Sequence, residues 1–267
     1  MRIALGLSYR GSGYHGWQTQ QSSPVPTVQD AVERAITRFV ADTAGESMTT
    51  VCAGRTDAGV HARMQVVHFE SPVKRDDFSW VRGVNTFLPP DVRVLWAREV
   101  PPSFHARNSA LRRRYQYRLL ESPVAPAIEH GLAGWTFLPL DGAAMQQAAR
   151  QWLGEHDFSS FRSSECQAPS PVKTLYAIEI DHRAPWWVFR FEGSAFLHHM
   201  VRNMMGTLLA IGSGRRPVSW ASELLQLRDR TQGDPTFMPG GLYLDGIQYP
   251  EEFGLNVLAW PYMPTLL

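Results

Sequence analysis

The order in which strand-like and helix-like patterns follow one another restricts this chain most. Arg2 to Tyr9 alternates as a strand does, and Gly11-Ser-Gly13 interrupts it with a turn. Pro26-Thr27 opens a helix. Thr27 is the expected N-cap, Asp30 favours the first turn, and Val28, Ala31, Val32, Ala35, Ile36 and Phe39 form one apolar stripe at helical spacing. Met48 to Cys52 and Gln65 to Phe69 read as two short strands joined by a loop centred on Asp57-Ala58-Gly59. Asp76 or Asp77 caps a second helix that ends before Pro89-Pro90, and Val92 to Val100 is again a strand. The order so far is β-α-β-β-α-β.

After Pro101-Pro102 this order largely recurs. A strand at Tyr115 to Leu120 is followed by a helix from Asp141 to about Leu153 and by strands near Leu175 to Asp181 and Trp186 to Glu192. A helix from His198 to Ile211, a short one near Ser219 to Leu227 and a last strand at Leu242 to Tyr249 complete it. No sequence repeat accompanies the repeated order. It predicts an α+β protein of two ferredoxin-like, RNA-recognition-like halves, residues 1–104 and 105–267, whose mostly antiparallel sheets meet at a central cleft.

A chain of 267 residues with 44% hydrophobic content is long enough for one large core or two modest ones. The first residues are too mixed for a secretory signal or an anchor, and no run approaches the roughly 20 apolar residues of a membrane span. Cys52 and Cys166 are too few for a disulfide framework and lack the paired spacing of a zinc site, so a reducing cytoplasm is expected. A net charge of only +1 argues against a surface that binds polyanions everywhere; a nucleic-acid site must be a local patch. Arg107, Arg112, Arg113, Arg114 and Arg118 fall in an acid-free stretch between Glu99 and Glu121. His198, His199, Arg202, Arg215 and Arg216 fall in another, between Glu192 and Glu223. Lysine occurs only at Lys74 and Lys173. Arginine suits bidentate phosphate contacts and base stacking, although a GC-rich genome produces the same bias.

The segment Ala53-Gly-Arg-Thr-Asp-Ala-Gly-Val-His-Ala62 places an arginine, a threonine and an aspartate in one glycine-bounded loop. Taken alone, Asp57-Ala58-Gly59 is an ordinary hairpin turn. Other motifs give it a second meaning: Tyr9-Arg-Gly-Ser-Gly-Tyr-His-Gly-Trp-Gln18, Gln65-Val-Val-His-Phe69, Phe104-His-Ala-Arg107 leading to Arg114-Tyr-Gln-Tyr117, His156-Asp-Phe158 with Phe161 and Cys166, Phe196-Leu-His-His-Met-Val-Arg-Asn203, and Gly241-Leu-Tyr-Leu244. In this set and order the chain resembles the tRNA pseudouridine synthase A family over almost its whole length. Two departures stand out. Met64 occupies a position where glycine is more usual, and Thr236-Phe-Met-Pro239 replaces a run of smaller residues before Gly241.

The resemblance implies an enzyme that isomerises uridines at positions 38, 39 and 40 in the anticodon stem-loop of tRNA, and a homodimer across which one tRNA lies. The reaction breaks the bond from uracil N1 to the ribose, turns the base, joins its C5 to C1′ and removes the C5 proton. Oxidation level does not change, so no nicotinamide, flavin or metal is called for, in keeping with a sequence that has no dinucleotide fingerprint or metal-ligand spacing. By resemblance Asp57 is the catalytic carboxylate. It adds to sugar or base, or removes a ribose proton; the sequence leaves these routes open.

By the same resemblance Arg202 pairs with Asp57 and keeps it ionised; its other reading is a phosphate-binding or surface arginine. Tyr115 stacks on the extruded uracil, and Tyr117, two residues on along the same strand, packs. Arg55 joins Arg107 and Arg112, Arg113 and Arg114 as RNA-binding residues. The histidines, among them His61, His68, His105, His156, His198 and His199, do not offer zinc-like spacing. A non-catalytic RNA-binding protein or chaperone of the same fold class is the rival reading, but the chain lacks the ribonucleoprotein signature of such domains. A metal-dependent nuclease would need clustered acidic ligands, which the sequence does not provide.

Overall fold

Alternation and capping act where the sequence places them. The computed structural model describes residues 1–20, 24–44 and 47–256. Contacts divide the chain into two compact units, Met1–Leu111 with the segment from Tyr243 onward, and Arg112–Leu242. The sequence pattern puts the divide between residues 104 and 105 and keeps the last strand with the second half. The break in the structure falls seven residues later, at Leu111/Arg112, because Leu111 N–H still bonds the Gln248 carbonyl at 2.8 Å within the first unit.

The first unit contains β1 (Arg2–Tyr9), α1 (Val28–Ala44), β2 (Val51–Cys52), β3 (His61–Glu70), α2 (Asp77–Phe87) and β4 (Val92–Val100). β1 lies between β4 and β3, antiparallel to both. The other edge of β3 is shared. β2 pairs antiparallel at Cys52↔Val67, and the last strand, Leu242–Gln248, pairs in parallel at Tyr243↔His61 and Leu244↔Ala62. Thr27 and Asp30 cap α1 reciprocally: Asp30 N–H donates to Thr27 Oγ1 at 3.2 Å, and the hydroxyl returns a bond to Asp30 Oδ2 at 2.6 Å. Asp76 caps α2 by accepting from Ser79 N–H at 2.8 Å. Trp80 of α2 is fully buried, meeting Phe39 and Phe69 edge-on with ring centres 5.3 Å apart in each case. A Cβ on Gly83 would overlap the Phe39 ring, so this glycine lets α1 and α2 approach.

The second unit contains β5 (Arg112–Glu121), β6 (Gly134–Thr136), α3 (Gly142–Arg150), β7 (Gly154–Asp157), β8 (Val172–Arg183), β9 (Trp186–Gly193), α4 (Met200–Gly212) and α5 (Trp220–Leu227); the strand Leu242–Gln248, in the first unit from Tyr243 on, is β10. β5, β9, β8 and β7 neighbour one another in that order, all antiparallel, and β6 runs parallel to β5. α4 is buried along almost its whole length, from Met200 to Gly212. It starts two residues later than the spacing predicts, since His199 takes a left-handed φ of 63° that a continuous helix does not accommodate. The protein is thus α+β with mostly antiparallel sheets and five α-helices among the described residues, none long and apolar enough to cross a membrane.

Candidate active site

Asp57 is half-buried in the loop between β2 and β3, and the loop is tied down on both sides of it. Ala53 N–H bonds the Val66 carbonyl at 2.8 Å, and the buried Gln65 amide donates to the Gly54 carbonyl at 2.6 Å. The Thr56 carbonyl accepts from Trp17 N–H at 3.0 Å, and its hydroxyl meets Tyr9 Oη at 2.8 Å. Past Asp57 the chain turns tightly, with Val60 N–H on the Asp57 carbonyl at 3.1 Å and Gly59 at φ 77°, a conformation open to glycine without Cβ strain. Asp57-Ala-Gly is therefore a turn, as its composition predicts, with hydrogen bonds to the loop on both sides of it.

The glycine-rich segment after β1 is the clamp. Gly11 N–H donates to Nδ1 of the buried His61 at 2.9 Å, and a Cβ on Gly11 would overlap the Val60 carbonyl. Gly16, at φ 89°, lies against Thr56 and Asp57, and Gly59 N–H reaches the Tyr14 carbonyl at 3.3 Å. The His61 ring stacks on Tyr243 of β10 with centres 4.6 Å apart. Sequence reasoning gives neither Gly16 nor His61 a role. The motif around Gly16 is visible, but only contact geometry shows which of its glycines touches the aspartate loop.

Tyr115 and Arg202 belong to the second unit. Tyr115 is 8% exposed on β5 and meets Phe196 edge-on at 5.0 Å. Tyr117 is fully buried, and its hydroxyl donates to the Met238 carbonyl at 2.8 Å, which is the packing part expected of it. Arg202 is half-buried near the start of α4. Its Nε donates to the Phe237 carbonyl at 2.9 Å, while Phe237 N–H donates to the Arg202 carbonyl at 3.1 Å. The Phe237 ring in turn lies 5.7 Å from that of Tyr117. The residues 236–239 that depart from the family pattern thus join α4 to β5.

The arginines expected to meet RNA fall into two kinds. Arg55 and Arg107 are exposed, and both act on the same neighbour: burial pushes the Cys52 thiol up to about 12, and these two guanidinium groups pull against that shift. Arg114 is half-exposed on β5. Arg112 bonds Glu192 at 2.8 Å and lies over the Tyr176 ring at 4.2 Å. Arg113 differs most from the expectation. It is 9% exposed and its Nη1 donates to the Ser194 carbonyl at 2.8 Å, an inward role that alternation along β5 imposes between the outward-facing Arg112 and Arg114.

The family model described as tRNA pseudouridine synthase matches residues 7–108 and 148–250. The chain is similar to a tRNA pseudouridine synthase A of Methylibium petroleiphilum, 58% identical over 99% of this chain and 100% of that one. It is also similar to proteins of the same name from Bordetella parapertussis, 57% identical over 96% of this chain and 94% of the other, and from Paracidovorax citrulli, 54% identical over 99% and 100%. On the length and identity of these matches, the chain belongs to the tRNA pseudouridine synthase family.

Proposed function

We propose that this protein isomerises uridines 38, 39 and 40 of the tRNA anticodon stem-loop to pseudouridine, with Asp57 as the carboxylate that acts on the nucleotide. Family membership makes it an isomerase of tRNA uridine. The observation that carries the assignment to Asp57 is the fixation of its loop. Tyr9, Gly11, Gly16 and Gln65, all outside the loop in sequence, bond or abut it on both sides of Asp57. Preorganisation of that kind serves a reacting group rather than a connection.

A uridine inside a stem is out of reach of any side chain, so the target must leave the stack. Tyr115 then receives the uracil face, its ring angle maintained by Phe196. Asp57 attacks sugar or base or takes a ribose proton, and Arg202 is its counter-charge. In this reading each unit is a ferredoxin-like half, the first carrying the Asp57 loop and the second Tyr115 and Arg202. Of the two stretches matched by the family model, the first contains Asp57 and the second Arg202. Arg55, Arg107 and Arg114 hold phosphates. Arg112 adds a partly neutralised contact, and Arg113 braces β5 against the turn after β9. The enzyme works as a cytoplasmic homodimer.

Purified protein incubated with unmodified tRNA transcript, followed by chemical mapping of pseudouridine, tests the reading. The parent converts positions 38–40 where these are uridine, and Asp57→Asn converts none while its tRNA affinity and melting curve stay near those of the parent. Conversion by folded Asp57→Asn at a parental rate would return Asp57 to the status of a turn residue.

A further inference from the structure

We infer that Thr236 is a positioning residue for Arg202, acting through a buried polar knot that the family resemblance does not supply. The inference rests on the catalytic reading of Arg202 given above. Next to Arg202 on α4, Asn203 is 2% exposed and bonded through both ends of its amide: its Nδ2 donates to the Phe161 carbonyl at 2.8 Å, and its Oδ1 accepts from Thr236 Oγ1 at 2.6 Å and from Arg230 Nη2 at 3.1 Å. The same guanidinium nitrogen also reaches Thr236 Oγ1 at 3.1 Å and the Asp234 carbonyl at 3.0 Å. Thr236 therefore donates to Asn203 and accepts from Arg230, closing a three-membered ring of hydrogen bonds.

This ring fixes the backbone one residue before Phe237, whose carbonyl accepts from Arg202 Nε and whose N–H donates to the Arg202 carbonyl. A second feature shows how closely the segment lies on the helix. A Cβ on Gly206, one turn beyond Arg202, would overlap the Pro235 carbonyl. Asp234 is held from a third direction by Trp220 Nε1 at 3.0 Å. The Phe237 carbonyl aims the Arg202 side chain, and the Thr236 hydroxyl sets where that carbonyl stands. A small residue without a hydroxyl at this position would leave Asn203 Oδ1 to Arg230 alone and let the carbonyl drift. Misplacing a reacting group by a fraction of an ångström slows chemistry without weakening remote binding.

The test compares Thr236→Val, which keeps the shape and removes the hydroxyl, with Thr236→Ser, which keeps the hydroxyl. Each is made alone and with Arg202→Lys. Single-turnover rates, tRNA Kd and melting curves are measured for all. We expect Thr236→Val to slow isomerisation by roughly tenfold to a hundredfold with tRNA Kd unchanged, and Thr236→Ser to restore the rate. In the Arg202→Lys background, Thr236→Val should slow the reaction no further, because the residue it positions is already gone. A slow Arg202→Lys together with a parental Thr236→Val overturns the positioning role alone. Additive effects in the double variant also overturn it, and show that Thr236 serves only the fold, whatever the melting curves do. A parental rate in Arg202→Lys overturns the catalytic reading of Arg202 and the inference with it.

Discussion

The α-carbon of Gly16 faces the Thr56 carbonyl so closely that a Cβ on it would stand 2.7 Å from that oxygen and 3.2 Å from Asp57 C. Both neighbours are backbone, with no flexible side chain to yield, and the φ of 89° excludes ordinary L residues as well. Gly16→Ala should lower stability by about 1 to 3 kcal/mol and slow isomerisation more than it weakens tRNA binding. Thermal melting and single-turnover kinetics together decide this. Parental values in both would mean that the close approach neither strains the loop nor holds Asp57.

The arginines separate by salt dependence. Replacing Arg55, Arg107 or Arg114 by glutamine should weaken tRNA binding and flatten the slope of log K against log salt by about 0.7 to 0.9 for each phosphate no longer neutralised. Arg113→Gln should leave the slope unchanged and lower the melting temperature, since its guanidinium holds the Ser194 carbonyl inside the protein. A flattened slope for Arg113→Gln would place that side chain on the RNA after all.

His68 makes stability depend on acid. It is 5% exposed and accepts from Ala106 N–H at 3.1 Å, and burial, reinforced by Arg2 and His105, lowers its pKa to about 4. The unfolded chain binds a proton near pH 6.5 and the folded one only near 4. The stabilisation is therefore complete above pH 6.5 and is lost as pH falls towards 4, by about 3 kcal/mol over that window. His68→Asn keeps an acceptor for Ala106 without a titrating group. Denaturant unfolding at pH 4.5, 5.5 and 7 should show a shallower dependence in the variant, and identical slopes would remove His68 as the cause.

The two cysteines should react in a fixed order. Burial pushes the Cys166 thiol up, but the N–H groups of Ala168 and His198 and the Arg162 guanidinium outweigh it and leave the thiol below its ordinary value. Cys52 is buried and pushed the other way. Iodoacetamide applied to the folded enzyme near neutral pH should alkylate Cys166 first, as read by peptide mass spectrometry. Equal labelling of both would mean that the Cys52 loop opens in solution.

Legibility in the sequence follows the strength of the local signal. β1 and β4 occupy the residues that alternation predicts, and Asp76 and Asp141 cap the helices their types favour. β7 escapes the sequence pattern because Gly-Glu-His-Asp has no apolar alternation; its pairing with β8 supplies the order instead. β6, only Gly134–Thr136, is too short for any period to show. β2 is shorter than expected because Met48 N–H bonds Thr37 Oγ1 and Thr50 N–H bonds Glu33 Oε1, side chains of α1 taking the place of a neighbouring strand. Trp17, Trp96, Trp135, Trp152, Trp186 and Trp187 read in the sequence as mostly core; Trp17, Trp96, Trp152 and Trp187 are buried, while Trp135 and Trp186 are half-exposed. At the candidate site, motifs name the residues proposed to meet substrate. Gly16, His61, Asn203 and Thr236 lie inside motif segments and Arg230 outside them, but their contacts are distant in sequence or run through backbone groups, so the pattern does not say what each one holds.

The edge of β3 shared between β2 and β10 governs the order in which the protein can mature. On its second edge β3 meets β10 where His61 and Ala62 pair with Tyr243 and Leu244, and the whole of the second unit lies between these residues in sequence. A nascent chain that has just passed Leu111 thus carries the Asp57 turn on a sheet with an open flank and a His61 ring that still lacks its stacking partner. An open strand edge invites pairing with another chain. The first unit is completed only once Tyr243 and Leu244 are in place, and a fragment ending at Leu111 leaves that part of the β3 edge without its parallel partner.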